Sequence, residues 1–205
     1  EAEQRELERL NRIAMLRSEA FRDIPAAGWR FENAEVMTPQ LVKARRYSEN
    51  WDAFRQDGTG LLLFGNVGTG KSYAAGCIAN ALIEKTVSVL FVGLSDVVNR
   101  MQGNFGADRD AYLKTLMRPE LLILDEPTSA LDVTVQKQII ELLQRIQRER
   151  NLAYIFISHD MKAVKAMSDR IAVMKDGKIV ELGNRDDIFE NPRDKYTQTL
   201  IAASI

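Results

Sequence analysis

The chain has 205 residues, enough for one substantial domain that folds without a disulfide or a structural metal. Its 28 basic and 29 acidic residues nearly cancel, so the overall charge does not favour nucleic acid or an anionic membrane as a partner. The single cysteine, Cys77, excludes an internal disulfide and indicates a reducing compartment. No apolar run reaches the ~20 residues that cross a bilayer, and residues 1–22 are too charged for a signal peptide. We therefore expect a cytoplasmic protein without a membrane segment.

Two helices are predicted before the first strand. Residues 1–22 carry apolar side chains at the spacing of an amphipathic helix, which we expect to pack on the domain rather than to serve as a free binding arm. A proline and a glycine then interrupt the pattern. A second helix is predicted from Thr38, with Thr38 as its cap and Pro39 in its first turn. The polar stretch 56–60 is predicted to be a loop.

Short apolar strands alternate with helices over the rest of the chain. The predicted strands are 61–64, 87–92, 121–124, 152–157 and 171–174, and a turn at 175–178 leads to a hairpin partner at 179–181. The predicted helices are 71–84, 95–102, 107–116, 135–148 and 161–167. Fully apolar strands that alternate with helices are typical of a parallel sheet covered on both faces, so the predicted fold class is α/β.

The stretch GNVGTGKS at 65–72 lies between an apolar strand and an amphipathic helix, which is the arrangement of a phosphate-binding P-loop. Glycines let the backbone wrap closely around phosphates, and the helix N-terminus adds a partial positive charge. We predict that Lys71 reaches the β- and γ-phosphates of ATP or another nucleoside triphosphate, and that the Ser72 hydroxyl binds Mg²⁺. The predicted nucleotide-binding residues are Gly65, Asn66, Val67, Gly68, Thr69, Gly70, Lys71, Ser72 and Tyr73.

Polar side chains at the ends of two later strands complete the predicted site. Asp125 ends the third apolar strand, where it can hold Mg²⁺ through a water, and Glu126 beside it can orient the attacking water. His159 follows the fourth strand at the edge where parallel sheets bind ligands, and we predict a contact with the γ-phosphate. The alternative for the two acidic residues is a structural role at the start of a loop, and for His159 it is an ordinary core or surface position. Cys77 lies on the predicted buried face of the P-loop helix, which indicates packing rather than reactivity.

Residues 120–205 resemble the ATPases of ABC transporters. LLILDEP resembles their Walker B strand with its catalytic glutamate, SALD their D-loop, and ISHD their switch histidine. DRIAVMKDGKIVELG resembles the hairpin region that follows, and NPRDKYTQTLIAA looks most like the oligopeptide-importer branch. This resemblance implies that Glu126 and His159 are the catalytic residues.

Residues 24–117 instead resemble the helicase-loader and transposase-helper branch of the AAA+ ATPases. ARRYSENWDAF looks like that branch's helix before the P-loop. GLLLFGNVGTGKSYAAGCIANALIEKTVSVLFVGLSDVV looks like its P-loop, first helix and second strand. The resemblance implies an adenine pocket near the segment before the P-loop, where Trp29 and Phe31 are candidates, although both also fit a core role.

Parts of both families are missing. Only 53 residues separate Lys71 from Asp125, and they contain neither the Gln-bearing loop nor the LSGGQ-type signature of an ABC ATPase. No arginine can be assigned to the sensor or arginine-finger positions of a helicase loader. We therefore predict a chimera, 1–118 joined to 119–205 near 117–120 in one domain, that binds MgATP with weak or no hydrolysis.

If the two parts meet in register, they complete a P-loop NTPase three-layer sandwich. Its parallel sheet of about five strands would have the order 5-1-4-3-2 and a C-terminal hairpin. The alternative is a natural divergent P-loop ATPase, either a transporter ATPase subunit or a DNA-associated loader. DNA contacts would need basic residues that here lie among acidic neighbours, so nucleic acid is not the favoured partner; these are Arg100, Arg109, Lys114 and Arg118. The predicted partner is the nucleotide, with a weak homodimer left open.

Overall fold

The computed structural model describes residues 1–22, 24–64, 68–103, 107–125, 133–150, 152–158, 165–168, 170–175 and 178–202. The strands are β1 (Leu61–Phe64), β2 (Val89–Gly93), β3 (Leu121–Asp125), β4 (Ala153–Ser158), β5 (Arg170–Lys175) and β6 (Lys178–Asn184). The α-helices before β3 are α1 (Ala2–Ala20), α2 (Pro39–Glu49), α3 (Trp51–Asp57), α4 (Lys71–Glu84), α5 (Leu94–Gly103) and α6 (Ala107–Leu116). Those after β3 include α7 (Val133–Arg150), α8 (Arg185–Glu190) and α9 (Lys195–Ala202). No helix within these ranges is long and apolar enough to cross a bilayer.

The strands form one sheet in the order β2-β3-β4-β1-β5-β6. The first five pair in parallel, in the relative order predicted from the sequence. The sixth strand pairs antiparallel with β5, so the predicted hairpin is part of the same sheet. Among the described residues the sheet therefore has the five predicted parallel strands, and the second hairpin strand extends its edge as a sixth.

Two apolar cores lie on the two faces of the sheet, because successive strand residues point to opposite sides. Leu63 and Ile155 belong to the core that contains α4, and α1 and α2 both contact α4 on that side. Leu62 and Tyr154 belong to the other core, which takes side chains from α5 and α7. Helices on both faces of a largely parallel sheet give the predicted three-layer α/β sandwich.

Helix α4 is buried on more sides than its predicted apolar face implies. Besides Ile78 and Leu82, the small residues Ala75, Gly76 and Ala79 are buried. Small side chains allow α1 and α2, which also contact β2 and β6, to approach α4 closely within the same layer. The α4 helix is therefore a central element of its layer.

The helices before β1 differ from the prediction in detail. The predicted amphipathic helix is confirmed as α1, but Leu7 and Leu10 in its first half are 59% and 52% exposed. The helix predicted from Thr38 is two helices, α2 and α3, which meet at Asn50. Thr38 occupies the N-cap position without a side-chain capping hydrogen bond, and Pro39 opens α2 as predicted.

Candidate nucleotide-binding site

Two glycines directly before α4 have the backbone conformation that a tight phosphate-binding turn requires. Gly68 and Gly70 both have φ of +82°, a left-handed conformation that is strained for residues with a side chain. A Cβ atom built on either glycine would meet no atom within 4 Å, so space lies open beside this part of the loop. The loop's first three residues, predicted to bind the nucleotide, lie outside the described residues; they are Gly65, Asn66 and Val67.

The first turn of α4 places three predicted ligand residues next to this loop. Lys71 opens the helix and is 6% exposed, and Ser72 is half-buried. Unpaired backbone N–H groups at a helix start point along its axis and favour a bound anion. The Tyr73 hydroxyl donates a hydrogen bond to the carbonyl oxygen of Arg30 at 2.8 Å, so this residue ties the P-loop helix to the segment before α2.

The sheet places Asp125 on the same edge as the P-loop. Asp125 ends β3 and is half-buried, and β3 and β1 lie on either side of β4. Leu124 and Leu62 are both in register with Phe156, so the ends of β3 and β1 lie two strand spacings apart, ~10 Å. A phosphate chain with its cation can bridge that distance. Glu126 and His159, the two predicted catalytic residues, lie outside the described residues.

Ser158 was missed by the sequence prediction. It ends β4, is 1% exposed, and is in register with Phe64 at the end of the P-loop strand. It therefore lies between the strand that leads to the P-loop and the strand that ends in Asp125. The sequence does show a hydroxyl residue at the end of an otherwise apolar strand, but the γ-phosphate contact was predicted for the neighbouring His159 instead.

The two aromatic candidates for the adenine pocket have different environments. Phe31 is 4% exposed and belongs to the core, which is the role that the sequence allowed as the alternative to base binding. Trp29 is half-buried, and its ring lies 5.7 Å from the ring of Tyr73 on α4. Its backbone is also fixed, because the Asn80 amide of α4 donates to the Trp29 carbonyl oxygen at 3.0 Å. Trp29 thus packs beside the first turns of the P-loop helix, and a role in base binding stays a prediction.

Cys77 is fully buried on α4, as predicted for a packing residue. Burial raises the pKa of its thiol to about 11, and the hydrogen bond with Tyr73 only partly offsets this effect. A thiol with this pKa carries almost no thiolate at neutral pH, and the thiolate is the reactive form. The structure therefore gives Cys77 no catalytic place in the site.

Curated relatives match part of the chain. Oligopeptide transport ATP-binding protein OppF of Escherichia coli is 50% identical over 120 residues, 56% of this chain and 36% of the relative. OppF of Streptococcus mutans is 49% identical over 87 residues, 42% of this chain and 28% of the relative. The matched segments thus span about a third or less of these relatives' length.

Solved structures with a similar fold come from a second group of proteins. DnaI superposes with a TM-score of 0.57 at 21% identity, covering 68% of this chain and 85% of DnaI. The DnaC helicase loader has a TM-score of 0.56 at 18% identity, covering 65% of this chain and 78% of that structure. At such identities the likeness establishes a shared fold.

The family match covers most of the chain. Residues 1–179 match the model described as IstB-like ATP binding protein. This range includes the P-loop, Asp125 and the strands that hold both. The chain therefore belongs to the family of IstB-like ATP-binding proteins, and it is an ATP-binding P-loop domain.

Proposed function

We propose that the chain binds ATP as its magnesium complex and hydrolyses it slowly or not detectably. The observation that carries this proposal is the connection from β1 to α4, with Gly68 and Gly70 in left-handed conformations and open space beside them. The helix that follows starts with Lys71 and Ser72, so a cation and a hydroxyl lie at its N-terminus. This arrangement suits phosphate oxygens and their cation.

The oxygen atoms of Ser72 and Asp125 are suitable ligands for Mg²⁺. The cation prefers oxygen ligands and keeps several waters, so one hydroxyl, one carboxylate and phosphate oxygens are sufficient. In this proposal Ser72 and Asp125 would hold Mg²⁺, Ser72 through its hydroxyl and Asp125 through a water. The bound cation would neutralise charge on the phosphates, while Lys71 would bind the β- and γ-phosphate oxygens. Glu126 would orient the attacking water and His159 would contact the γ-phosphate.

Slow hydrolysis follows from the proposed hybrid origin of the chain. Several OppF matches of 85 to 88 residues agree in length with the ABC-like segment 120–205, whereas the Escherichia coli match, at 120 residues, is longer than that segment. The DnaI and DnaC structures belong to the other group. A chain composed in this way has neither an ABC signature motif nor an assignable arginine finger. An arginine finger is worth ~10³–10⁵ in rate, and P-loop enzymes without one run near ~10⁻³ per second.

The alternative is a natural divergent P-loop ATPase, either a transporter ATPase subunit or a DNA-associated loader. It is favoured by the family match, which continues beyond the proposed join at 117–120 to residue 179. Such a protein would have its own activating arrangement and turn over faster. Binding of single-stranded DNA that weakens with salt would support the loader.

The decisive experiment measures nucleotide affinity and phosphate release for the wild type, Lys71→Ala and Glu126→Gln. We expect Lys71→Ala to weaken MgATP binding at least about tenfold, because it removes the charge-assisted contact to the phosphates. Lys114→Ala, on the exposed side of α6, is the matched control and should bind like the wild type. We expect Glu126→Gln to keep the affinity and to abolish residual phosphate release.

Two outcomes would contradict the proposal. Unchanged MgATP affinity in Lys71→Ala would remove the nucleotide site. Turnover above ~1 per second that Glu126→Gln abolishes would show a complete catalytic site and would favour the natural ATPase.

A further inference from the structure

A cavity of about 410 Å³ lies between α2 and the sheet, away from the phosphate loop. Side chains of β1 and of β6, among them Leu61, Leu63 and Ile179, form its floor, and Ala44 and Tyr47 of α2 form its roof. None of the described P-loop residues from Gly68 to Tyr73 lines it. We call this space the α2 cavity. Its volume is in the range of small-molecule sites, which typically run from ~300 to 1,000 Å³.

One wall of the α2 cavity is aromatic and fixed in place. The rings of Tyr47 and Phe54 stack at 5.0 Å with an interplanar angle of 9°. The Tyr47 hydroxyl also donates to the Thr59 carbonyl oxygen at 2.8 Å, and burial raises the pKa of Tyr47, so the group stays neutral. A rigid aromatic wall beside leucine and isoleucine side chains suits an apolar ligand body.

Gln40 supplies a buried polar atom that needs a partner. It lies in the first turn of α2, is 8% exposed, and lines the α2 cavity. Its Oε1 atom is buried and accepts no hydrogen bond from any described residue. An unsatisfied buried acceptor costs about 1–3 kcal/mol, so this position favours a ligand that offers an N–H or O–H group.

The charged residues around the α2 cavity are basic. Lys43 and Arg46 line it from exposed positions on α2, and neither forms an ion pair with a described residue. Their neighbour Arg45 pairs instead with Glu32 and Glu49. No carboxylate is present among the described lining residues. The mouth of the cavity is therefore suited to an anionic group.

We propose that the α2 cavity binds a small organic acid with an aromatic or aliphatic body. Its hydrogen-bond donor would meet Gln40 Oε1, its body would lie against the Tyr47–Phe54 wall, and its acidic group would face Lys43 and Arg46. This site goes beyond nucleotide binding and does not depend on it, because none of the described P-loop residues takes part.

The test uses the dye 1-anilinonaphthalene-8-sulfonate, which combines an aromatic body, one N–H donor and a sulfonate. Fluorescence titration of the folded chain is expected to give one saturable site. We expect Ala44→Leu, which fills the cavity, to weaken binding about tenfold, and Gln40→Leu to weaken it about threefold. Lys43→Gln should weaken binding about threefold and reduce its salt dependence, whereas Lys137→Gln, a 78% exposed position on α7, should change neither.

Two variants of opposite charge at one exposed position make the test independent of core packing. Leu182 lines the cavity and is 52% exposed, so substitutions there should leave the fold intact. We expect Leu182→Glu to weaken dye binding and Leu182→Lys to preserve or strengthen it. Equal binding by these two variants, or unchanged binding by Ala44→Leu, would overturn the proposal.

Competition separates this site from the nucleotide site. We expect saturating MgATP to leave dye binding unchanged and Lys71→Ala to bind the dye like the wild type. Displacement of the dye by MgATP in the wild type, absent in Lys71→Ala, would mean that the α2 cavity belongs to the nucleotide site and would overturn the inference. A failure of nucleotide binding with intact dye binding would contradict only the proposed function.

Discussion

The segment up to residue 118 meets the segment from residue 119 both within the sheet and through helix α2, and these contacts differ in packing. In the centre of the sheet, β3 pairs with β2 in five consecutive residue pairs, and β1 pairs with β4 in four. On the α4 side, α2 contacts β6 and leaves the α2 cavity of about 410 Å³ above the sheet. The strands join continuously, whereas the helix and the edge strands leave space.

The difference follows from what each contact requires of the sequence. Strand pairing uses backbone N–H and C=O groups, which every residue except proline offers in the same geometry. Packing a helix on strands depends on side-chain volumes that match across the contact. If the two segments have different origins, we expect the sheet to be complete and the helix contact to be imperfect.

The largest effect is expected for Gly60→Ala, which acts at the close contact between the two segments. A Cβ atom on Gly60 would clash with the carbonyl oxygen of Tyr154, which is backbone and cannot turn away. We expect a loss of about 3 kcal/mol or more in the free energy of unfolding, measured by urea denaturation. Gly28→Ala is the control, because a Cβ there would meet nothing within 4 Å. If the urea midpoint of Gly60→Ala equalled that of the wild type, the strands would adjust freely at this contact.

The next effect is expected at Glu120, where the chain enters β3. Its carboxylate accepts a hydrogen bond from the Ser88 backbone N–H at 3.2 Å and pairs with Arg55 of α3 at 2.7 Å. We expect Glu120→Ala to cost about 1–2 kcal/mol, with most of the loss from the hydrogen bond, since the Arg55 side chain is 57% exposed. Arg55→Met should therefore cost less than Glu120→Ala in the same urea titrations. The reverse ranking would contradict this assignment.

Local sequence patterns predicted the elements of the fold but not how they pack. The bounds of β1, α4 and α6 agree with the sequence prediction, because apolar runs, the P-loop and helical spacing all lie within short windows. The break between α2 and α3 at Asn50, helices α8 and α9, and the burial around α4 were not predicted. These features depend on contacts between segments far apart in the chain, which local periodicity does not contain.

The residues of the candidate site likewise differ in whether the sequence could predict their position. Lys71, Ser72 and Asp125 could be placed from the sequence, because a P-loop and a strand-end carboxylate each have a recognisable local pattern. Ser158 could not, since a serine becomes informative only when its strand is known to lie between β1 and β3. The α2 cavity is likewise invisible in the sequence, because its roof and part of its floor come from distant segments.

A smaller change in stability, and of opposite sign, is expected from filling the α2 cavity. Ala44 is 5% exposed and lines the α2 cavity, so the larger side chain of Ala44→Leu can occupy existing space. We expect stabilisation by about 1 kcal/mol and a higher melting temperature. The matched control is Ala79→Leu, at a fully buried position on α4, where overpacking should cost about 1–3 kcal/mol. Destabilisation by both variants would mean that the contact of α2 with the sheet is already well packed.

The smallest effect is expected at Glu181, which lies wholly within the segment from residue 119. Partial burial opposes its ionisation, but the backbone N–H groups of Arg193 and Asp194 donate to its carboxylate at 2.8 and 3.1 Å and hold the pKa of Glu181 below its ordinary value. A lowered folded-state pKa stabilises the fold above the unfolded-state pKa, and this stabilisation is lost as the pH falls through the folded value. Because solvent screens the group, we expect Glu181→Gln to cost less than about 1 kcal/mol at pH 7 and nothing once the wild-type carboxylate is protonated. Urea midpoints of both proteins between pH 7 and pH 3 measure this convergence. Glu181 and its two N–H donors all lie in the segment from residue 119. Glu181→Gln should therefore cost the same free energy in the Ala44→Leu background as in the wild type. A different cost in that background would link the Glu181 hydrogen bonds to the packing of α2.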